Sequence, residues 1–335
     1  MVFRICTDIK ICQIEWLLLA ILKCVYYHCC WLYDTLLGEK SDQKLDNNRE
    51  RMTRMDQKRA QELAVTAAKI RLAALDAVYT AASGHIGGSL SIADILTVLY
   101  FEKMNIDPKS PDKPDRDRFV LSKGHCTPAL YPTLALRGYF PVEELKLFRS
   151  IEGHYSGHPD MVNVKGVDMS TGSLGQGLSA AVGMALAGKV DQKSYRVFAA
   201  MGDGEIEEGQ IWEAAMSAAK FHLDNLCGFI DVNGLQIDGQ TSDVMPSEPL
   251  DKKWEAFGWN VIKIDGHDLT AISDAIDAAA ACKGKPTVII AKTIKGKGVS
   301  YMENVADWHG MAPNKEQYEI GRKELEKALS ELEGK

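Results

Sequence analysis

A chain of 335 residues can hold one large α/β domain or two small ones, and its 46% hydrophobic and 25% charged residues are those of a soluble globular protein. A net charge of −7 and a pI near 5.7 exclude a general nucleic-acid surface, which needs a basic patch. An anionic ligand must therefore be met by local groups or by a metal.

Five of the eight cysteines (Cys6, Cys12, Cys24, Cys29, Cys30) fall within the first 30 residues. Cys126, Cys227 and Cys282 lie singly, with neither metal-ligand spacing nor a disulfide framework. Free thiols favour a reducing compartment, so a cytoplasmic location is expected. Residues 1–55 differ from the rest. Residues 16–37 are apolar and aromatic but are interrupted by Lys23, His28 and Asp34. A membrane span needs about 20 nearly uninterrupted apolar residues, so stable membrane insertion is not expected. The segment reads as an extension outside the fold, from a start upstream of Met52 or Met55, with a membrane-surface anchor as the alternative.

Residues 57–82 carry Leu63, Ile70, Leu75 and Val78 at helical spacing in an Ala-rich background. This helix is expected to stop at Ser83-Gly84-His85-Ile86-Gly87-Gly88-Ser89, with Ser91 capping a second helix over 92–104. Three prolines and many charges make 105–116 a loop. A short strand, 119–122, leads into Lys123-Gly124-His125, and Pro128 suits the first turn of the next helix. Helical segments near 129–136 and 142–149 precede a loop with His154 and His158. Thr171-Gly172-Ser173-Leu174-Gly175-Gln176-Gly177 then runs into a small-residue helix over 178–187.

The unit that organises the chain comes next. An apolar run, 195–201, ends in Gly202-Asp203-Gly204; a helical pattern follows; a second apolar run, 226–232, ends in Asn233. Both strands deliver a polar residue at their carboxyl ends, the edge where open parallel sheets bind ligands. Asp203 and Asn233 are oxygen ligands of the kind Mg²⁺ or Ca²⁺ takes, few in number, as expected where a diphosphate completes the shell. The flanking glycines let backbone N–H groups approach an anion. A bare βαβ unit with two turn residues is the plainer reading of this stretch alone. Beyond it lie a helix at 254–257, a strand at 259–264, a helix at 269–281, a last strand at 287–294, and a charged, helical tail, 314–335, of linker-like composition. Strands alternating with helices predict a mostly parallel sheet covered by helices on both faces, with 56–313 as its domain.

His85, His125, His158 and His309 stand beside glycine at loop ends. A single such histidine is ordinary loop chemistry. Four together suggest neutral imidazoles near a sugar hydroxyl or carbonyl, able to shuttle protons. No two of these four lie at i, i+3 or i+4 and no cysteine cluster joins them, so nothing among them speaks for zinc. Lys292, Lys295 and Lys297 fit a phosphate contact and a solvated basic loop equally well. Glu205, Glu207 and Glu208 read as helix-start charges, and Trp212 and Met216 as core packing.

SGHIGGSLS, LSKGH, STGSLGQGLSAAVGMA, GDGEIEEGQIWEAA with Asn233, and KTIKGKGVSYMEN with WHGMAP occur in this order in transketolases. The chain resembles the amino-terminal section of split transketolases, enzymes made as two chains. The resemblance implies a thiamine diphosphate-binding fold and the cofactors thiamine diphosphate and Mg²⁺, or Ca²⁺ or Mn²⁺. It implies metal ligation by Asp203, Asn233 and the carbonyl of Leu235. Gly204 and His125 would contact the diphosphate, His309 both cofactor and substrate, and Gly172 and Leu174 the aminopyrimidine side. Glu208 resembles the acid linking cofactor sites. His85 and His309 resemble histidines around the substrate carbonyl and hydroxyls, and His158 the one near the terminal hydroxyl. Two positions depart from the pattern: Ile86 and Ser173 stand where the family often has proline.

In that family the glutamate that activates the cofactor and the arginines that hold the sugar phosphate belong to the pyrimidine-binding section. A partner chain carrying that section is therefore expected, in an α₂β₂ assembly acting on sugar phosphates in the pentose phosphate pathway. The alternatives are a subunit of another enzyme of the same cofactor, like deoxyxylulose-phosphate synthase or a 2-oxo acid dehydrogenase, and a non-catalytic scaffold that keeps the fold.

Overall fold

The computed structural model describes residues 55–334. The reading of 1–55 as an extension falls, but for Met55, outside the described residues. Helix α1 (Gln57–Ala81) starts where the Asp56 carboxylate accepts the Arg59 N–H at 2.7 Å, and it stops as Ala82 turns left-handed. Its buried stripe includes Leu63, Ile70, Ala74 and Val78.

The expected second helix is broken into α2 (Gly87–Ser91), α3 (Ala93–Val98) and one π turn, Leu99–Lys103. Ser91 does not cap it. Its hydroxyl lies inside the fold and donates to the Asp231 carboxylate at 2.5 Å, with Gly88 O also within reach at 2.9 Å. A buried acid outcompetes a helix end for that hydroxyl.

Strand β1 (Arg118–Leu121) leads through a 3₁₀ turn, Gly124–Cys126, into α4 (Thr127–Arg137), with Pro128 in the first turn. Then come α5 (Gln176–Val190), β2 (Val197–Gly202), α6 (Gly209–Lys220) and β3 (Leu226–Val232). A two-residue antiparallel pair, β4 (Leu235–Gln236) and β5 (Gly239–Gln240), and a single turn, α7 (Thr241–Val244), follow. The chain closes with α8 (Leu250–Ala256), β6 (Asn260–Asp265), α9 (Leu269–Ala281), β7 (Thr287–Lys292) and α10 (Lys315–Glu333).

The five-stranded sheet has the order β1-β2-β3-β7-β6 and is parallel throughout. Alternate residues serve opposite faces. Phe198, Ala200, Phe229 and Ile289 pack with α1, α3 and α9 on one side. Ala199, Met201, Ile230 and Val288 pack with Leu178 of α5, Ile211 of α6 and Trp254 of α8 on the other. The α/β class read from the sequence is the observed one. The strand order reverses at β3: the chain crosses to the far edge as β6 and returns as β7 between them. In parallel sheets such a reversal opens a crevice beyond the carboxyl strand ends, and it is here that Asp203, Asn233 and Lys295 follow β2, β3 and β7.

Two smaller expectations change. Met216 points to solvent, 56% exposed, while Trp212 packs beside Trp254 and Phe257 at 5.2 and 5.1 Å between ring centres. The tail is helical but is not a free linker. Tyr318 stacks on Tyr79 at 3.8 Å, and Arg322 pairs with Asp76 at 2.8 Å, tying α10 to α1.

Candidate functional site

The site grows from backbone donors at the sheet's carboxyl edge. Asp203 is 3% exposed; Oδ1 accepts the Gly204 N–H at 3.0 Å and Oδ2 the Gly234 N–H at 2.6 Å. Gly234 has φ +79, a left-handed conformation that turns its N–H back toward Asp203 at no side-chain cost. Asn233 Oδ1 accepts the Leu235 N–H at 3.1 Å, and Leu235 O accepts from Lys295 Nζ at 3.2 Å. Lys295 Nζ also stands 2.9 Å from His309 Nδ1. These groups share a cavity of about 140 Å³ whose lining includes His125, Leu174 and Gly204.

Charge in this cavity is poorly compensated. Burial pushes the Asp203 carboxyl up to about 6, against the pull of its Gly234 hydrogen bond. Burial likewise brings the Lys295 ammonium down to about 8. A desolvated carboxylate held only by two N–H donors, beside a carboxamide and a backbone carbonyl, is a donor set a hard divalent cation fits. Among the described residues no group of three or more His, Cys, Asp and Glu side chains is arranged to hold a metal. Such a cation would need further oxygens from its ligand.

His85, His125, His158 and His309 meet in space although they are scattered in sequence. Ring centres lie 5.2 Å apart for His85 and His125, 5.5 Å for His85 and His309, 4.9 Å for His125 and His309, and 6.1 Å for His85 and His158. Burial lowers His85 to about 4 and His309 to about 3, and drives His125 well below its ordinary range. His158 is lowered too, by burial and by the Arg149 charge. All four are neutral near pH 7, able to donate through one nitrogen and accept through the other. Among the described residues His85 Nδ1 is buried without a hydrogen-bond partner.

Of the remaining sequence candidates, Gly172 passes under the His158 ring; a Cβ there would sit 3.1 Å from His158 Cδ2. Glu208 stands apart from the cavity, exposed at the start of α6. At the two departures, Ile86 is fully buried and Ser173 is exposed, and His85 still joins the cluster.

The sequence reading missed the buried pair of Lys123 and Asp231, misplaced Glu205 and left Lys295 between two readings. Lys123 and Asp231 form an ion pair, 2% and 1% exposed, beneath the cavity. Burial opposes the charge on both, but their mutual attraction holds Lys123 above and Asp231 below their ordinary ranges. Thr293 and Ser91 also donate to Asp231. Glu205 is no helix-start charge: it is 3% exposed and accepts from Gly175 N and Gly202 N at 3.0 Å each and from Ser122 Oγ. Lys295, 1% exposed, belongs to the cavity and not to a solvated loop. One signal was available, since an acid inside the apolar run of β3 demands a buried partner.

The family model described as the transketolase thiamine diphosphate binding domain matches residues 62–328. A 6-deoxy-6-sulfo-D-fructose transketolase subunit of Clostridium sp. (strain MSTE9) is 50% identical over 258 residues, 77% of this chain and 94% of that protein. An apulose-4-phosphate transketolase subunit of Phocaeicola vulgatus is 44% identical over 265 residues, 79% of this chain and 94% of the other. The crystal structure of transketolase from Campylobacter jejuni superposes with a TM-score of 0.72 at 32% identity, covering 81% of this chain and 46% of that one. The strand-end cavity and the match over most of its length agree: the chain belongs to the transketolase family, as its thiamine diphosphate-binding section.

Proposed function

We propose that this chain is the diphosphate-binding subunit of a two-chain transketolase, moving a two-carbon ketol unit from a ketose phosphate to an aldose phosphate. The observation that carries this reading is the convergence of Asp203, Asn233, Lys295 and His309 on one cavity at adjoining strand ends, with His85 and His158 beside it.

In this reading Asp203, Asn233 and Leu235 O hold Mg²⁺ (or Ca²⁺ or Mn²⁺) against the cofactor's diphosphate. Gly204, His125 and Lys295 contact that diphosphate, and Gly172 and Leu174 face the aminopyrimidine side. Thiamine diphosphate supplies the carbon nucleophile and electron sink for breaking and making the ketose C–C bond. The chain's own work is electrostatic. His85 and His309, neutral at pH 7, donate to the substrate's carbonyl oxygen and hydroxyls and accept their protons, and His158 meets the terminal hydroxyl. Glu208, at the surface, has the exposure a role between cofactor sites across a chain interface requires.

Two relatives whose names call them subunits are matched over 94% of their own length, which supports a separate partner chain. In this reading the partner carries the pyrimidine-binding section and the two chains assemble as α₂β₂. Among the described residues Cys126, Cys227 and Cys282 are free, as suits a cytoplasmic location.

The test is coexpression with the partner chain and a ketol-transfer assay with pentose phosphate or pyruvate as donor. Transfer from the sugar phosphate is expected. Asp203→Ala should lose more than the roughly 10–100-fold that removing an outer contact of a metal site costs. Turnover from pyruvate but not from the sugar phosphate would assign the chain to another enzyme of the cofactor.

A further inference from the structure

Away from the cavity, a buried polar chain runs from α1 to the segment that delivers Lys295. Asp94 of α3 accepts from Arg71 of α1 at 3.2 and 2.5 Å, and Arg71 Nε donates to Leu90 O at 3.1 Å. Both side chains are nearly closed to water, 10% exposed for Arg71 and 8% for Asp94. Burial opposes the charge on Asp94, but the Arg71 guanidinium and the His267 hydrogen bond hold its carboxyl below the ordinary range. The same carboxylate stands 2.7 Å from Nδ1 of His267, in the turn after β6. The far ring nitrogen, His267 Nε2, accepts the Ile294 N–H at 2.9 Å.

These two contacts leave the neutral ring one form. A backbone N–H can only donate, so Nε2 is bare; an ionised carboxylate can only accept, so Nδ1 carries the proton. A partner at each nitrogen fixes the tautomer and the plane of the ring. Ile294 comes just before Lys295, where the chain has left β7. The neighbouring holds are backbone to backbone: Thr293 N donates to Val232 O at 3.0 Å, Asn304 N to Lys295 O at 3.0 Å, and Gly296 N to Gly87 O at 2.9 Å. The hold on Ile294 comes from a side chain. From this segment Lys295 turns into the cavity, where Nζ meets Leu235 O and His309 Nδ1.

We propose that His267 is a positioning residue of the cofactor site. Through the Ile294 N–H it sets the backbone from which Lys295 reaches the diphosphate, while Asp94 and Arg71 hold its tautomer. His267 does this without lining the cavity itself. The proposal rests on the transketolase reading and adds to it a control on the site from outside.

The test uses the complex of this chain with its partner, titrated calorimetrically with thiamine diphosphate in the presence of Mg²⁺. An asparagine can place an amide N–H where Nδ1 stands but reaches no acceptor to Ile294; a glutamine can place its carbonyl oxygen near Nε2. His267→Asn should weaken cofactor binding about tenfold, the lower end of what removing an outer contact of such a site costs. His267→Gln should recover most of that loss. Lys295→Met should weaken binding too, and adding His267→Asn to it should cost less than about threefold more, because residues acting through one contact are not additive. In the full wild-type chain, the imidazole nitrogen shifts read by NMR should show His267 protonated at Nδ1 and bare at Nε2, a measurement that needs no variant to fold. Equal losses in the Asn and Gln variants, full additivity with Lys295→Met, unchanged affinity in His267→Asn, or a proton on Nε2 would each overturn the proposal with the transketolase reading intact. A wild-type complex that takes up no thiamine diphosphate would overturn both.

Discussion

The four histidines are useful because they are neutral, and their neutrality has a measurable cost at low pH. His85 is held at about 4 and His309 at about 3, below the ordinary 6.5, chiefly by burial. Between 6.5 and those values the unfolded chain binds protons that the folded chain refuses. Stability from these groups is therefore present above pH 6.5 and lost as pH falls through about 4. Urea midpoints of the chain should drop across that window, and His85→Asn should flatten the drop. A variant whose midpoint falls as steeply as wild type would contradict the assignment. Asp203 and Asn233 could be read from sequence because strand periodicity fixes where a strand ends, and the end residue must face the crevice. Lys123 and Lys295 could not. A lysine in a glycine-rich loop looks solvated until the fold supplies what meets it. For Lys123 that is Asp231, 108 residues further along the chain. For Lys295 it is Leu235 O and His309.

At the scale of elements, the site depends on loops pressed together more closely than a side chain allows. The turn after β1 crosses the 171–175 loop at Gly124, where a Cβ would fall 2.6 Å from Thr171 Oγ1 and 2.8 Å from Gly172 N. Thr171 cannot easily yield, since its hydroxyl donates to Leu121 O at 2.6 Å. Gly124→Ala should therefore destabilise the chain by about 1–3 kcal/mol, the usual scale of overpacking. Urea unfolding checks this, and a change within about 0.5 kcal/mol, typical of a surface substitution, would contradict it. Periodicity alone located α1, α5, α6 and α9 and the parallel strands. It could not foresee the break between α2 and α3, because what redirects Ser91 is an acid 140 residues further along the chain. Nor could composition tell the charged tail from a linker, because α10 is held by the Tyr79–Tyr318 stack and the Arg322–Asp76 pair across the whole domain.

At the scale of the molecule, the sheet order β1-β2-β3-β7-β6 explains why residues from three strand ends share one cavity. The reversal at β3 sets the loops after β2, β3 and β7 side by side, so a carboxylate, a carboxamide and a lysine converge although they are far apart in the chain. The topology itself was not legible in the sequence. Strands alternating with helices give a parallel sheet, but not which strand lies beside which. The measurement that bears most directly on this account is a calorimetric titration of thiamine diphosphate, with Mg²⁺, into the complex of this chain and its partner. The near-isosteric Asp203→Asn is titrated alongside wild type. The account predicts Mg²⁺-dependent binding by wild type that Asp203→Asn loses. Equal affinity of the two, or binding by wild type indifferent to Mg²⁺, would contradict it.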